Sequence, residues 1–147
     1  MSYDLDVLLR LAAAAAAGIV IGFNRDIRHK ALGMRTLAIV ALGAAVVTIA
    51  ALEYTGLDQP DAQSRVLQGI VQGVLTGIGF IGAGVILRDR QAQQVHGLTT
   101  AATVWVTAAL GIACALGAWL PAVGGTVLTI FVLFVVRKLE QWKLPDR

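Results

Sequence analysis

The chain has 147 residues, of which 57% are hydrophobic and only 14% are charged. A water-soluble domain of this length could not bury so much apolar surface, because too little of its chain is polar enough to cover it. This composition excludes an ordinary soluble enzyme or binding domain and indicates an integral membrane protein.

Five apolar stretches divide the chain. Each is long enough to cross about 30 Å of hydrocarbon as a helix, and none shows the strict alternation of a barrel strand. A backbone surrounded by lipid must satisfy its own hydrogen bonds, which a helix does. The sequence therefore predicts a single-domain, all-α membrane protein, a bundle of five transmembrane helices. The predicted spans are residues 5–23, 36–52, 69–87, 98–116 and 120–136.

The first span has an acidic start, with Asp4 and Asp6, and carries Arg10 one helical turn after Asp6. Such a start argues against a cleaved signal peptide, whose leading segment is basic. Asp6 and Arg10 share a face with Ala14, Gly18 and Gly22, all at four-residue spacing. Two interpretations remain open for Arg10: an ion pair with Asp6, or a side chain that reaches outward to the membrane boundary.

Basic residues concentrate in alternate connections. Bacterial membrane proteins keep such residues on the cytoplasmic side, so the amino terminus is predicted outside and the carboxyl terminus in the cytoplasm. The basic charge thus reflects topology and contact with anionic membrane lipids, and no nucleic-acid partner is expected. The residues concerned are Arg25, Arg28, Lys30, Arg35, Arg88, Arg90, Arg137, Lys138, Lys143 and Arg147.

The first of these connections also contains an acidic residue, Asp26, beside Arg25. Together with Arg28 and Arg35 it forms a charged cluster at the predicted cytoplasmic surface. Two interpretations stand: a functional site, or a topology determinant that contacts lipid headgroups.

The third span is rich in glycine. Two successive GxxxG spacings favour close packing of helices in lipid. We therefore expect this span to be the central helix, with neighbouring helices packed on two of its sides. A functional alternative is local unwinding that exposes carbonyls to an ion or substrate. On a helical wheel the glycines of this span occupy two faces. One face carries Gly69, Gly73, Gly77 and Gly84, and the roughly opposite face carries Gly79 and Gly82.

Polar side chains form stripes on the third and fourth spans. On the third span the stripe consists of Gln68, Gln72 and Thr76. On the fourth span it consists of Thr99, Thr103 and Thr107, with Thr100 beside it and Trp105 pointing away. The threonines are explained by helix contacts in which each hydroxyl bonds back to its own helix. Alternatively, the two stripes face each other and build a narrow hydrophilic seam.

Catalytic, cofactor and metal sites are not predicted. His29 and His96 lie in separate basic connections, without a partner at metal-ligand or triad spacing. The interiors of spans two to five contain no carboxylate, which disfavours magnesium conduction. A nucleotide-binding G-x-x-x-x-G-K-[ST] loop is also missing. The single cysteine, Cys114, lies in a span and is interpreted as a small core residue.

Four short motifs follow one another along the chain: GFNRD (residues 22–26), LGMRT (32–36), GIGFIGAGVI (77–86) and GLTTAATVW (97–105). Together they resemble the successive signatures of the MgtC/SapB family of bacterial inner-membrane proteins. The resemblance implies a five-span domain in the cytoplasmic membrane. For the MgtC branch it also implies a link to growth in low magnesium and survival inside phagocytes, with ATP synthase as a target of that branch.

The chain departs from the family pattern in three ways. Asn24 stands where the family commonly has an acidic residue, and a helical turn is inserted between Arg65 and Gly77. We expect the chain to lack the cytoplasmic carboxyl-terminal domain of the longer MgtC members and so to be similar to the short SapB/YhiD type. Virulence and control of ATP synthase are therefore not carried over.

Two hypotheses for function follow. The first is a non-enzymatic regulatory or adaptor protein that binds another inner-membrane protein and is linked, by resemblance, to adaptation to low magnesium or other stress; a homo-oligomer is left open. The second is a small transporter or channel subunit whose pathway is the seam between the third and fourth spans. The candidate residues for function or packing are Asp6, Arg10, Gly22, Arg25, Asp26, Arg35, Thr36, Gln72, Thr76, Gly77, Gly79, Gly82, Gly84, Thr99, Thr100, Thr103 and Trp105.

Overall fold

A computed structural model describes residues 3–54, 60–89, 94–136 and 138. Within these ranges the chain forms five α-helices, a short antiparallel hairpin that joins the third helix to the fourth, and a π-helical turn at the end of the fifth. The helices are α1 (Tyr3–Asp26), α2 (Met34–Tyr54), α3 (Pro60–Val85), α4 (Leu98–Ala115) and α5 (Trp119–Phe131). The strands are β1 (Leu87–Asp89) and β2 (Gln94–His96), and the π-helical turn is Val132–Val136.

All five helices are long and apolar enough to cross a membrane, α5 together with its π-helical turn. They run alternately up and down. The first turn of α1 meets the last turn of α2 through a hydrogen bond between Tyr3 and Glu53, and we call this the Tyr3 end. At the opposite end, Arg25 of α1 contacts Thr100 in the first turn of α4, and we call this the Arg25 end. The predicted five-span helical membrane protein is confirmed.

The third helix differs most from its predicted boundaries. It begins at Pro60, well before residue 69, because proline suits the first helical position and the polar first turns add to the apolar stretch. It ends at Val85, and Leu87, predicted within the span, lies in strand β1. The hairpin was not predicted, since three-residue strands give almost no periodic signal.

The core of the bundle is built around α4. More than half of its span is buried, 56% against 11% for α3, and α4 contacts α1, α2, α3 and α5. The prediction that the third span is central is therefore wrong. Small side chains line the contacts of α4 with its neighbours, so that the helix backbones lie close together. The alanines with no more than 1% of their surface exposed are Ala14, Ala41, Ala45, Ala108 and Ala115.

Glycines permit the closest approaches between these helices. A Cβ atom at Gly18 would lie 2.5 Å from the carbonyl oxygen of Leu37 on α2. A Cβ at Gly22 would overlap the backbone of Met34, and one at Gly111 would overlap the carbonyl of Ala41. Small-residue packing thus operates as expected in lipid, but it joins α1 and α4 to α2.

The glycines of α3 have a different environment. A Cβ atom at Gly82 would touch Ala101 of α4 at 3.4 Å, which is ordinary contact. The inward stripe of α3 is formed instead by Val71, Val74 and Ile78, which pack on α2 and α4. Since this branched apolar stripe faces the core, most glycines face outward. Nothing lies within 4 Å of a Cβ built at Gly69, Gly73, Gly77, Gly79 or Gly84.

These two environments predict opposite effects of a methyl group. Gly111→Ala is expected to lower the free energy of unfolding by about 1 to 3 kcal/mol, because the added methyl overlaps the Ala41 carbonyl. Gly73→Ala is expected to leave it unchanged or raise it by up to about 1 kcal/mol, through helix propensity alone. Denaturant unfolding in detergent micelles measures both, and equal losses at the two positions would contradict the packing described.

Candidate functional site

Arg25 is buried at the end of α1, with 4% of its surface exposed. Its Nε donates to the carbonyl of Leu32 at 3.1 Å, and a terminal nitrogen donates to the carbonyl of Ala31 at 2.9 Å. The same guanidinium donates to the Thr100 hydroxyl and to Thr103 Oγ1, the latter at 3.4 Å. The fork of five donors therefore ties the α1–α2 loop to the first turns of α4.

All these acceptors are neutral. In the part of the chain that the structure describes, no carboxylate lies within ion-pair distance of Arg25. A buried charge is costly unless hydrogen bonds replace its hydration, and here two carbonyls and two hydroxyls do so. The arrangement stabilises one conformation of the loop, because the guanidinium would otherwise be buried without acceptors.

Asp26 fixes the other side of the loop. Its Oδ2 accepts a hydrogen bond at 2.9 Å from the N–H of Met34, the first residue of α2, where an acidic group is favourable. Gly33 lies so close that any Cβ there would collide with the Asp26 carboxylate. Leu32 is held at φ 63°, a left-handed conformation that non-glycine residues rarely adopt. We call Arg25, Asp26 and their partners the arginine latch.

The predicted charged cluster is thus divided between several environments. The guanidinium of Arg28 lies over the ring of Phe134, 4.7 Å from its centroid, and links the loop to the π-helical turn. Arg35 is exposed, and Thr36 beside it is half-buried. His29 and His96 are exposed as well. The sequence placed Arg25 among solvated or lipid-facing charges, whereas the structure places it in the core.

The predicted seam between the third and fourth spans is not formed. Thr100, Thr103 and Thr107 are buried, and the first two contact Arg25 of α1. Thr103 and Thr107 also donate back to the carbonyls four residues earlier, at 2.6 and 2.8 Å, which confirms the simpler interpretation. Trp105 is exposed and points away, as expected.

The stripe on α3 lies on the outer surface. Gln72 is exposed near the middle of a 26-residue helix, and Thr76 one turn later is also exposed. Two open glycine positions, Gly73 and Gly77, lie beside them on the same side. An amide in hydrocarbon is costly without a partner, and small residues let a second backbone approach. We call this face the α3 ridge. Its members are Gln68, Gly69, Gln72, Gly73, Thr76, Gly77 and Phe80.

At the Tyr3 end, Arg10 Nε lies 2.7 Å from Asp6 Oδ2, a close ion pair without the alignment of a hydrogen bond. A terminal nitrogen of Arg10 donates to the carbonyl of Ala115 at 2.9 Å, at the last turn of α4. The ion-pair interpretation is confirmed. Tyr3 and Glu53, joined at 2.5 Å by their hydroxyl and carboxylate oxygens, were not predicted as a pair. The available signal was that each lies at the edge of an apolar stretch.

Comparison with known proteins gives consistent results. The model of the MgtC family matches residues 11–142. Protein SrpB of Synechococcus elongatus is 38% identical, over 93% of this chain and 78% of its own length. Protein MgtC of Salmonella typhimurium is 38% identical over 91% of this chain, and protein MgtC of Brucella abortus is 40% identical over 89%. The chain spans 54% and 51% of these two MgtC proteins, about half of each. No solved structure matches the chain.

The arginine latch predicts a local and a global effect of substitution. Arg25→Ala is expected to lower the free energy of unfolding by at least about 2 kcal/mol, since several charge-assisted hydrogen bonds are lost. Hydrogen–deuterium exchange across residues 27–33 should rise at the same time. Arg25→Lys should restore only part of the stability and part of the exchange protection, because an ammonium cannot reproduce the planar set of guanidinium donors.

Arg35→Ala is the matched control, since Arg35 is exposed on the next helix. It should change the free energy of unfolding by no more than about 0.5 kcal/mol. If Arg25→Ala exchanged no faster than Arg35→Ala across the loop, the role assigned to the latch would be refuted.

Proposed function

The chain belongs to the MgtC family, and from that premise we propose that it is a regulatory or adaptor protein of the bacterial inner membrane, without enzymatic activity. It binds another membrane protein through the α3 ridge. The process it serves, by kinship with the proteins named MgtC, is adaptation to low magnesium or to another stress.

The observation that carries this proposal is the exposure of Gln72 at mid-helix. The amide offers two donors and one acceptor, and it is exposed on the outer face of α3. In hydrocarbon such a group gains by bonding to a second helix, typically by about 0.6 to 2 kcal/mol. A transmembrane helix of another protein meets this need.

The glycines beside Gln72 allow the backbone of a second helix to approach closely. Weak polar contacts need close backbone approach to add up to stable association, and the positions of Gly73 and Gly77 are open. Phe80, with 84% of its surface exposed, extends the same face with a large apolar side chain. Together these features resemble a helix-docking surface.

The transport alternative has less support. The threonine hydroxyls assigned to its pathway bond to Arg25 or to their own helix, and Gln72 lies on the other side of α3. Among the described residues, no group of three or more histidine, cysteine or acidic side chains is placed to hold a metal ion. Saturable solute flux by the purified protein in proteoliposomes would nevertheless contradict the adaptor proposal.

The proposal predicts a functional difference between two exposed glycines. Gly73→Leu is expected to abolish complementation of growth in low-magnesium medium, because the bulky side chain blocks docking on the α3 ridge. Gly43→Leu is the matched control: it lies on α2, and a Cβ built there also meets nothing within 4 Å. The growth curves are compared only when both variant proteins are present in the membrane in similar amounts. Equal growth would exclude the α3 ridge as the binding face.

We further propose that the Tyr3 end faces outward and the Arg25 end faces the cytoplasm, as the distribution of basic residues favours. In a Cys114→Ala background, Asp61→Cys should react with an impermeant maleimide on intact cells. Lys30→Cys should react only after the cells are lysed. The reverse pattern, or labelling of both positions in intact cells, would invert or refute the orientation.

A further inference from the structure

A cavity of about 160 Å³ opens at the Tyr3 end. It lies between the first turns of α1, the last turns of α2 and the end of α4. This volume holds roughly five water-sized groups, at about 30 Å³ for each, so a small organic molecule fits. The residues that line it are Tyr3, Asp6, Val7, Arg10, Ile49, Leu52, Glu53 and Ala115.

The cavity has apolar walls and a charged rim. Val7 of α1 and Ile49 and Leu52 of α2 supply the walls. Asp6 and Glu53 bring two carboxylates to the lining, against one guanidinium from Arg10. Among the lining residues that the structure describes, the balance of charge is therefore negative.

Arg10, the one cationic side chain among the described lining residues, is already engaged. Arg10 pairs with Asp6 at 2.7 Å and donates to the Ala115 carbonyl at 2.9 Å. Glu53 receives a hydrogen bond from the Tyr3 hydroxyl at 2.5 Å, and a neutral phenol does not compensate a carboxylate charge.

We propose that this cavity binds a primary ammonium group on a short alkyl chain, with the ammonium at Glu53 and Asp6 and the alkyl chain on Val7, Ile49 and Leu52. An ammonium carries three donors, and the two described contacts occupy only one oxygen of each carboxylate. A hard metal ion would need about six oxygen ligands, which apolar walls do not provide.

The same chemistry has two sources. One is a free short amine, and the other is the ethanolamine headgroup of a phospholipid in the adjacent leaflet. The cavity does not depend on the α3 ridge, so it is testable whether or not the adaptor proposal holds.

The first experiment is calorimetric titration of the full chain in a detergent without amine, with ethanolamine as the probe. We expect saturable binding with a Kd on the order of millimolar, as befits so small a ligand. Glu53→Gln should weaken it at least about tenfold, because a charge-assisted hydrogen bond is removed. Asp61→Asn, which changes an exposed carboxylate at the same end outside the cavity, should bind like the unmodified chain.

Two further probes test the chemistry. Ethylene glycol, the neutral counterpart of ethanolamine, should not bind, and magnesium chloride should not displace ethanolamine at equal ionic strength. Val7→Phe fills the cavity without changing its charges and should also abolish binding. An unchanged thermal unfolding midpoint of each variant without ligand excludes misfolding as the cause.

The second experiment separates the sources. Thermal unfolding is compared in nanodiscs of phosphatidylglycerol with phosphatidylcholine or with phosphatidylethanolamine. A higher unfolding midpoint with phosphatidylethanolamine that Glu53→Gln removes identifies the lipid headgroup. Saturable binding of ethanolamine without such a response to the lipid identifies the free amine. The proposal is overturned if neither response occurs, if Glu53→Gln changes neither, or if magnesium competes as strongly as ethanolamine.

Discussion

The structure depends on how closely α4 approaches the backbones of its neighbours. Lipid tails are as apolar as leucine, so hydrocarbon supplies no hydrophobic drive to bring helices together. Packing contacts must do so, and they are densest where side chains are smallest. At Gly111 the backbone of α4 comes so near Ala41 of α2 that no larger residue fits. This contact fixes the rotation of α4, and the environments of the other four helices follow from it.

The rotation of α4 also determines what Arg25 can bond. Thr100 and Thr103 lie on the same broad face of α4 as Gly111, nearer its first turn, where the guanidinium at the end of α1 reaches them. A buried arginine without a carboxylate is stable only if its donors are satisfied in a fixed geometry. The α1–α2 loop provides the remaining acceptors, at the cost of a left-handed Leu32. The fold therefore gives structural roles to Gly22, Arg25 and Asp26 of the GFNRD motif and to Leu32, Gly33 and Met34 of the LGMRT motif.

The amino-acid sequence predicts those features that depend on local spacing. Hydropathy and length predict the five spans, and the i, i+4 spacing makes the pair of Asp6 and Arg10 one of two interpretations, which the structure then selects. Helical wheels also identify the small face of α3, but they cannot tell which of two plausible faces is covered. In the structure the covered face is the stripe of Val71, Val74 and Ile78. The contact between Arg25 and Thr100 joins residues 75 positions apart, and no periodicity within either helix reveals it.

The comparison of α3 with α5 shows why exposure alone does not mark a docking face. Helix α5 is even less buried, with 6% of its span inside the bundle, yet its exposed side chains, such as Leu120 and Leu128, are large and apolar. Lipid satisfies such a surface completely. The α3 ridge instead exposes glutamine amides beside open glycines, and lipid can neither bond the amides nor fill the groove as a helix does. Of the two peripheral helices, α3 is therefore the one whose surface gains from a protein partner.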